Sequence, residues 1–309
     1  MKKQRRLWAV LFAVAFATTA NSADIKHVLL SPSFSSGTYD ADTETITDVT
    51  ATFRLDIGAT QLAWYATFDP PQSGRLLVNG PNSIPFDIFD RAMKPRNVLL
   101  DEATAVSVSD VLSGIMPEPA RFNLPTAVRN FAFVVLPGGF APAGRYTAQA
   151  SVSLWQGPFK SGAFLGSATF YASVTVSDIL ELSVVPVGAP FDFTSRHAVF
   201  DFGFLSAGNV RSADLVVRAN VKYGVTLSSA HGGILRYTNP ADSSTVPYEL
   251  RINGNPLTLV PGVAVPVVLL ADSTTSEGRR FRLDAEILPF DFPTEGSYSD
   301  VLTFSIVKN

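Results

Sequence analysis

The groups able to carry proton or metal chemistry are few: three histidines, His27, His197 and His231, and 27 acidic side chains, with no cysteine. Without a thiol, neither a disulfide framework nor a thiolate site can form. No histidine has a second ligand at metal spacing, so each reads as a surface or turn residue. The acidic run Asp40-Ala41-Asp42-Thr43-Glu44, with Asp48 beyond it, offers the oxygens a calcium ion needs. It lacks the glycine and closing glutamate of a calcium loop and reads as a solvated turn. No Gly-x-Ser-x-Gly elbow, phosphate-cradling glycine loop or metalloprotease helix is present. A carboxylate pair for sugar hydrolysis is left open, because any two of the 27 acids can meet in a fold. The expectation is a protein that is not an enzyme, with no cofactor and no metal site.

Apolar residues in loops are the more distinctive feature, since a solvated loop does not choose them. Three stretches qualify: Gly114-Ile115-Met116-Pro117, Pro137-Gly138-Gly139-Phe140-Ala141-Pro142, and the run from Trp155 through Phe159 to Gly166. Ile115, Met116, Phe140, Trp155, Phe159, Phe164 and Leu165 are therefore candidates for an adhesive surface. The alternative is that these side chains tuck back onto the ends of the fold as core.

The elements that would position such loops are strands. With 21 glycines, 21 prolines and 23 phenylalanines, alternating apolar runs and almost no helical period, the chain reads as all-β. Met1-Lys2-Lys3-Gln4-Arg5-Arg6, the apolar run Leu7 to Ala17 and small residues near Ala20 to Ala23 read as a secretory signal peptide, residues 1–23. That run is short of the roughly 20 apolar residues a bilayer span requires. A net charge of −3 and no basic face argue against nucleic acid as a partner.

The remaining length suits two domains, and the halves repeat each other at a displacement of roughly 150 to 160 residues. Gly144-Arg145-Tyr146 opens an alternating run, as Gly296-Ser297-Tyr298 does; Phe131 to Pro137 answers Phe281 to Pro289. Gly74-Arg75-Leu76 with Ile84 to Ile88 answers Gly233-Ile234-Leu235 with Val246 to Leu250. Thr52 to Phe68 and Leu215 to Leu227 are each read as a pair of strands. His231-Gly232-Gly233 reads as a hairpin turn, and Asn253-Gly254 as a type I′ turn, as does Asn79-Gly80 more weakly because Pro81 follows. The expected architecture is two tandem Ig-like β-sandwich domains, 24–177 and 178–309, joined near Ser177 to Gly188.

The copies end unequally. After its Gly-x-Tyr strand the first continues into Ser167 to Val176, which has no counterpart in the second. The second is expected to lack its final strand and to expose a cleft along its last one, where Tyr298, Leu302, Phe304 and Ile306 share a face. An extended segment of another chain can complete such a sandwich by strand addition. Little sequence precedes the first repeat, so the chain is expected to accept a strand and not to give one, as a terminal subunit would.

The ending Pro293 to Phe304, with Phe202-Gly203-Phe204 and Val246-Pro247-Tyr248-Glu249-Leu250, resembles the spore coat protein U family, the module of archaic (Csu-type) chaperone-usher pili. The resemblance covers residues 178–309 best. It implies export through the periplasm, capture by a periplasmic chaperone and assembly at an outer-membrane usher. It further implies donor-strand complementation by an adjacent pilin subunit and display at the pilus tip on the cell surface, as an adhesin for an abiotic or host surface, as in biofilm formation. The other readings are an ordinary structural pilin or coat subunit, and a secreted carbohydrate-binding or hydrolytic β-sandwich.

Overall fold

The computed structural model describes residues 26–56, 62–70, 74–91, 97–116, 124–239, 241–291 and 293–309, and every long element in it is a strand. The segment read as a signal peptide lies outside the described residues, as does Pro117.

The first module is two layers. In one, β1 (Val28–Leu29), β3 (Thr45–Arg54), β8 (Thr126–Val135) and β6 (Asn82–Asp90) lie side by side. In the other, β2 (Ser33–Thr38), β10 (Ala163–Val176), β9 (Gly144–Gln156), β4 (Ala63–Asp69) and β7 (Leu112–Ile115) do so, and β5 (Leu76–Asn79) joins the layers by pairing with β6 and β9. Alternation fixes which residues meet between them. Phe53, Phe86, Phe131, Phe133, Tyr146, Val152 and Phe170 are all buried in one core.

The second module repeats this order. One layer is β11 (Leu180–Val185), β12 (Val210–Ala219), β18 (Arg279–Ile287) and β15 (Thr245–Ile252), with β16 (Asn255–Leu257) hairpinned to β15. β14 (Ile234–Tyr237) pairs with β15 and with β19 (Tyr298–Ser299), as β5 pairs with β6 and β9. The other layer has only β17 (Val265–Ala271), β13 (Tyr223–Ser229) and β20 (Leu302–Lys308). Apart from β16, the strands have counterparts: β12 and β18 answer β3 and β8, β13 and β17 answer β4 and β7, and β19 with β20 answers β9. β2 and β10 have no counterpart among the described residues.

The repeated Gly-x-Tyr anchors have a common cause. Gly144 and Gly296 sit at φ +138° and +149°, where an L side chain is strained. A Cβ on either would also collide with a side chain of the neighbouring short strand, Asn79 in one case and Tyr237 in the other. Two residues on, Tyr146 donates from its hydroxyl to Pro142 O at 2.9 Å, and Tyr298 to Thr294 O at 2.6 Å. Both are tyrosine corners, which lock the turn into the strand that follows.

Two turn readings change. Asn253 and Gly254, at φ +51° and +80°, form the expected tight hairpin between β15 and β16. Gly80, not Asn79, is the first central residue of the β5–β6 turn, at φ +58°, because Asn79 already pairs with Asn82. His231-Gly232-Gly233 is not a hairpin turn. It carries the chain from β13 in one layer to β14 in the other, and both glycines have positive φ.

Candidate functional site

The last strand is placed by a buried carboxylate. Asp300, its side chain 2% exposed, accepts from the Ser229 hydroxyl at 2.5 Å, the Tyr248 hydroxyl at 2.6 Å, and the His231 and Val301 amides at 2.9 and 2.7 Å. Burial first, then the bond to this carboxylate, pushes the Tyr248 hydroxyl far above its ordinary pKa. The knot breaks the final run into β19 and β20 and hands the chain from the β14 layer to the β13 layer.

β20 pairs with β13 along its whole length, from Leu302↔Ser229 to Lys308↔Tyr223. Along its other edge no strand pairs with it among the described residues. In the first module the equivalent edge of β9 is covered from Gly144 to Gln156 by β10, which is in turn paired, in parallel, with β2. The inward side chains report the difference. Tyr146, Ala148, Ala150, Val152 and Leu154 of β9 are at most 6% exposed. Tyr298, Leu302, Phe304 and Ile306 are all only half-buried against the second module's core.

Across from them, Leu180, Leu182 and Val184 of β11 are also half-buried and pack on the same core as Phe304 and Ile306. Where β2 would follow, the second module has an irregular segment in which Phe200, Phe202 and Leu205 rest on the core while Val199 and Phe204 are 88% and 94% exposed. The Lys308 ammonium, 2.5 Å from the Asp178 carboxylate, ties the end of β20 to the start of β11. The result is a set of half-buried apolar side chains beside an unpaired backbone edge. Sequence alone predicts Leu302, Phe304 and Ile306 on this strand, and Tyr298 with them, but Tyr298 falls on β19; Leu180, Leu182 and Val184 of β11 and Phe200, Phe202 and Leu205 were not expected here, although the Phe-x-Phe alternation after β11 was a signal.

The apolar loop residues do not form one patch. Met116 is 1% exposed and belongs to the core, because Met116 N–H bonds Leu62 O and draws its side chain inward. Leu165 packs partly onto that core. Phe159 and Trp155 are half-buried in a small cluster with Tyr65 and Val111, under the loop that holds Leu100 and Ala105. Phe164 stands edge-on to Trp155 and is 54% exposed, and Ile115 is 80% exposed at the end of β7. Phe140 lies elsewhere, at the junction between modules, with the Arg218 guanidinium 5.3 Å from its ring.

That junction is bonded through one residue. Asn220, 2% exposed, accepts from Ile179 N–H at 2.7 Å and donates to Ser177 O at 2.8 Å and Ala141 O at 3.2 Å, while its own carbonyl accepts from Ala143 N–H. Arg218 beside it lies over Phe140, Phe191 and Phe193 at 5.0 to 5.3 Å.

Several of the ionisable residues singled out in the sequence are held by structure, and His197 is exposed. Asp40 accepts from the Asp42 amide and the Thr43 hydroxyl, closing a turn, and Asp48 pairs with Arg91 at 2.9 Å. His27 bonds Arg54 O, and His231 caps the turn beside Asp300. Among the described residues no group of three histidine or carboxylate ligands comes together. A groove of about 290 Å³ beside β16 and β17, lined by Leu257, Val267, Phe281 and Arg279 among others, contains no acid–base pair.

No family model matches the chain, and no curated protein matches it. Solved structures similar to it include pilus tip adhesins and a pilin. The CsuC–CsuE chaperone–tip adhesion subunit pre-assembly complex of Acinetobacter baumannii covers 90% of this chain and 99% of its own at 12% identity, TM-score 0.42. A chaperone–tip adhesin complex of CFA/I fimbriae covers 90% and 95% at 12% identity, TM-score 0.43. The CupB6 tip adhesin of Pseudomonas aeruginosa covers 90% and 91% at 12% identity, TM-score 0.37.

Proposed function

We propose that the protein is an adhesive subunit of a surface fibre, in which the first module binds and the second joins the fibre by accepting a strand from another chain. The observation that carries this reading is the open edge of β20, flanked by half-buried Leu302, Phe304 and Ile306, opposite a first module in which β10 fills that place. An unpaired apolar edge is an aggregation hazard that a partner must cover. Four or five apolar anchors on the incoming strand, at about 1.5–3 kcal/mol each, supply on the order of 10 kcal/mol before ordering costs. Such a subunit needs a chaperone to cover the edge before assembly and an usher to exchange that cover for an adjacent subunit. The cell surface, at the fibre tip, is where this role would be exercised.

The test is Phe304→Asp in the full chain, co-expressed with its chaperone and usher. A charge in the cleft should abolish capture and incorporation, while Thr303→Asp on the exposed face of the same strand should be tolerated. Normal incorporation of Phe304→Asp rejects the reading.

A further inference from the structure

The outer face of the first module's β4–β9–β10 sheet is laid out in rows. Register places Phe164, Trp155 and Tyr65 side by side across the three strands, then Ser167, Ser153 and Thr67, then Thr169, Ser151 and Asp69. Beyond them Tyr171 of β10, 53% exposed, faces Gln149. The first row is a continuous set of rings: Trp155 stacks on Tyr65 at 5.9 Å and 4°, and Phe164 meets Trp155 at 5.2 Å and 64°. The indole N–H is used, donating to the Thr67 hydroxyl at 3.2 Å. About 20 Å of strand separates the exposed rings of Phe164 and Tyr171, and the residues between them on this face carry hydroxyls.

Charge is nearly absent from these rows, and what there is finds a partner. The Asp69 carboxylate takes the Ser153 hydroxyl at 2.7 Å, and the Arg145 guanidinium at the far end donates to Ser173 at 3.1 Å. On the second module, the outer face of β12, β18 and β15 is by contrast laced with ion pairs among Arg251, Arg280, Arg282, Asp214, Asp284 and Glu286. The second module's own counterpart of the row face, on β13 and β20, keeps hydroxyls at Thr226, Ser228, Thr303 and Ser305 but has no ring. The rings therefore belong to the first module alone, and exposed rings on a sheet face are not what solvation selects.

We propose that this face binds an uncharged polysaccharide lying along β10. Sugar rings stack on Phe164 and Tyr171, and sugar hydroxyls bond those of Ser167, Thr169 and Ser151. A neutral polyhydroxylated chain matches a surface that offers hydroxyls and ring faces between Phe164 and Tyr171, with its cation, Arg145, set beyond them against Ser173. The inference rests on the reading of the first module as the binding module, and it names the ligand class.

The experiment is affinity electrophoresis of the full mature chain in gels containing mannan, a mixed-linkage β-glucan or hydroxyethylcellulose, with pull-down on chitin and cellulose. At least one neutral polysaccharide should retard the chain. Phe164→Ala or Tyr171→Ala should weaken that binding about tenfold or more, Val128→Ala, exposed on β8 of the other layer, should leave it unchanged, and it should persist at high salt. Both ring substitutions are at exposed sites, and an unaltered melting curve checks that they fold. Failure of all five polysaccharides to bind overturns the inference, as does binding that Val128→Ala abolishes and the ring variants spare, or binding lost at high salt. If the chain adheres to surfaces yet binds no glycan, this inference fails and the binding role of the first module stands; if it does neither, both fail.

Discussion

Asn220→Ala should loosen the junction between modules measurably. The substitution removes three side-chain hydrogen bonds at a site 2% exposed, leaving Ile179 N–H and the Ser177 and Ala141 carbonyls without their partner. A buried polar group stripped of its partner costs about 1–3 kcal/mol, so the expected loss is roughly 3–5 kcal/mol with some entry of water. With a urea slope of about 2 kcal/mol per molar, the unfolding midpoint should fall by about 1.5–2.5 M. Asn220→Asp should cost at least as much, since it keeps the acceptor for Ile179 but turns lone pairs toward two carbonyls. Far-UV circular dichroism follows both modules, whereas Trp64 and Trp155 both lie in the first. The dichroism midpoint should therefore move more than the tryptophan fluorescence midpoint, and cleavage by a protease between Val176 and Leu180 should quicken. A dichroism midpoint for Asn220→Ala within about 0.2 M of the wild type, well below what the lost bonds imply, refutes the reasoning.

Other outcomes follow from the same geometry. Tyr298→Phe deletes the corner bond to Thr294 O and should destabilise the second module by about 1 kcal/mol, with Gly296→Ala costing more because of its positive φ; equal melting curves for Gly296→Ala and wild type would contradict this. The Ser212 hydroxyl, and after it the Arg282 guanidinium, hold the Asp284 carboxyl below its usual 3.8 against the opposing effect of burial. A depressed acid contributes stability that is whole above its unfolded pKa and lost as pH falls through the folded one. Ser212→Ala should accordingly move the Asp284 carboxyl titration upward in a carbon-detected NMR series and shrink the loss of stability below pH 3.8.

Much of the fold is visible as residue pattern because its constraints are local. Gly-x-Tyr marks the corner in both modules since only glycine tolerates that φ beside Asn79 or Tyr237, and the tyrosine then has a fixed acceptor four residues back. Period-two alternation marks β9, β10 and β20 for the same reason. β2 was hidden: Ser33-Phe34-Ser35-Ser36-Gly37-Thr38 is short and mostly polar, and its strand character comes from parallel pairing with β10, more than a hundred residues away. The break at Asp300 was hidden too, since an aspartate in a strand reads as solvated until Ser229 and Tyr248 close around it.

The loop residues divide on the same principle. An apolar side chain in a loop can face either way, and sequence does not say which. Met116 follows its backbone bond into the core, Phe140 is claimed by Arg218 of the other module, and Trp155 and Phe159 are roofed by the loop carrying Ala105. The side chains of the proposed cleft were half legible. Leu302, Phe304 and Ile306 stand in register on one strand, whereas Leu182, Val184 and Phe200 come from segments whose approach depends on the whole sandwich.

Residue-resolved amide exchange of the chain free of any partner bears most directly on strand acceptance. Amides on the free edge of β20, within Leu302 to Lys308, should exchange at rates near those of an open strand while their alternates bonded to β13 stay protected, and Ser151 to Gln156 of β9, between β10 and β4, should be protected on both edges. Protection of every β20 amide in the isolated chain, at the level seen across β9, would mean that the edge is already paired and would contradict the account.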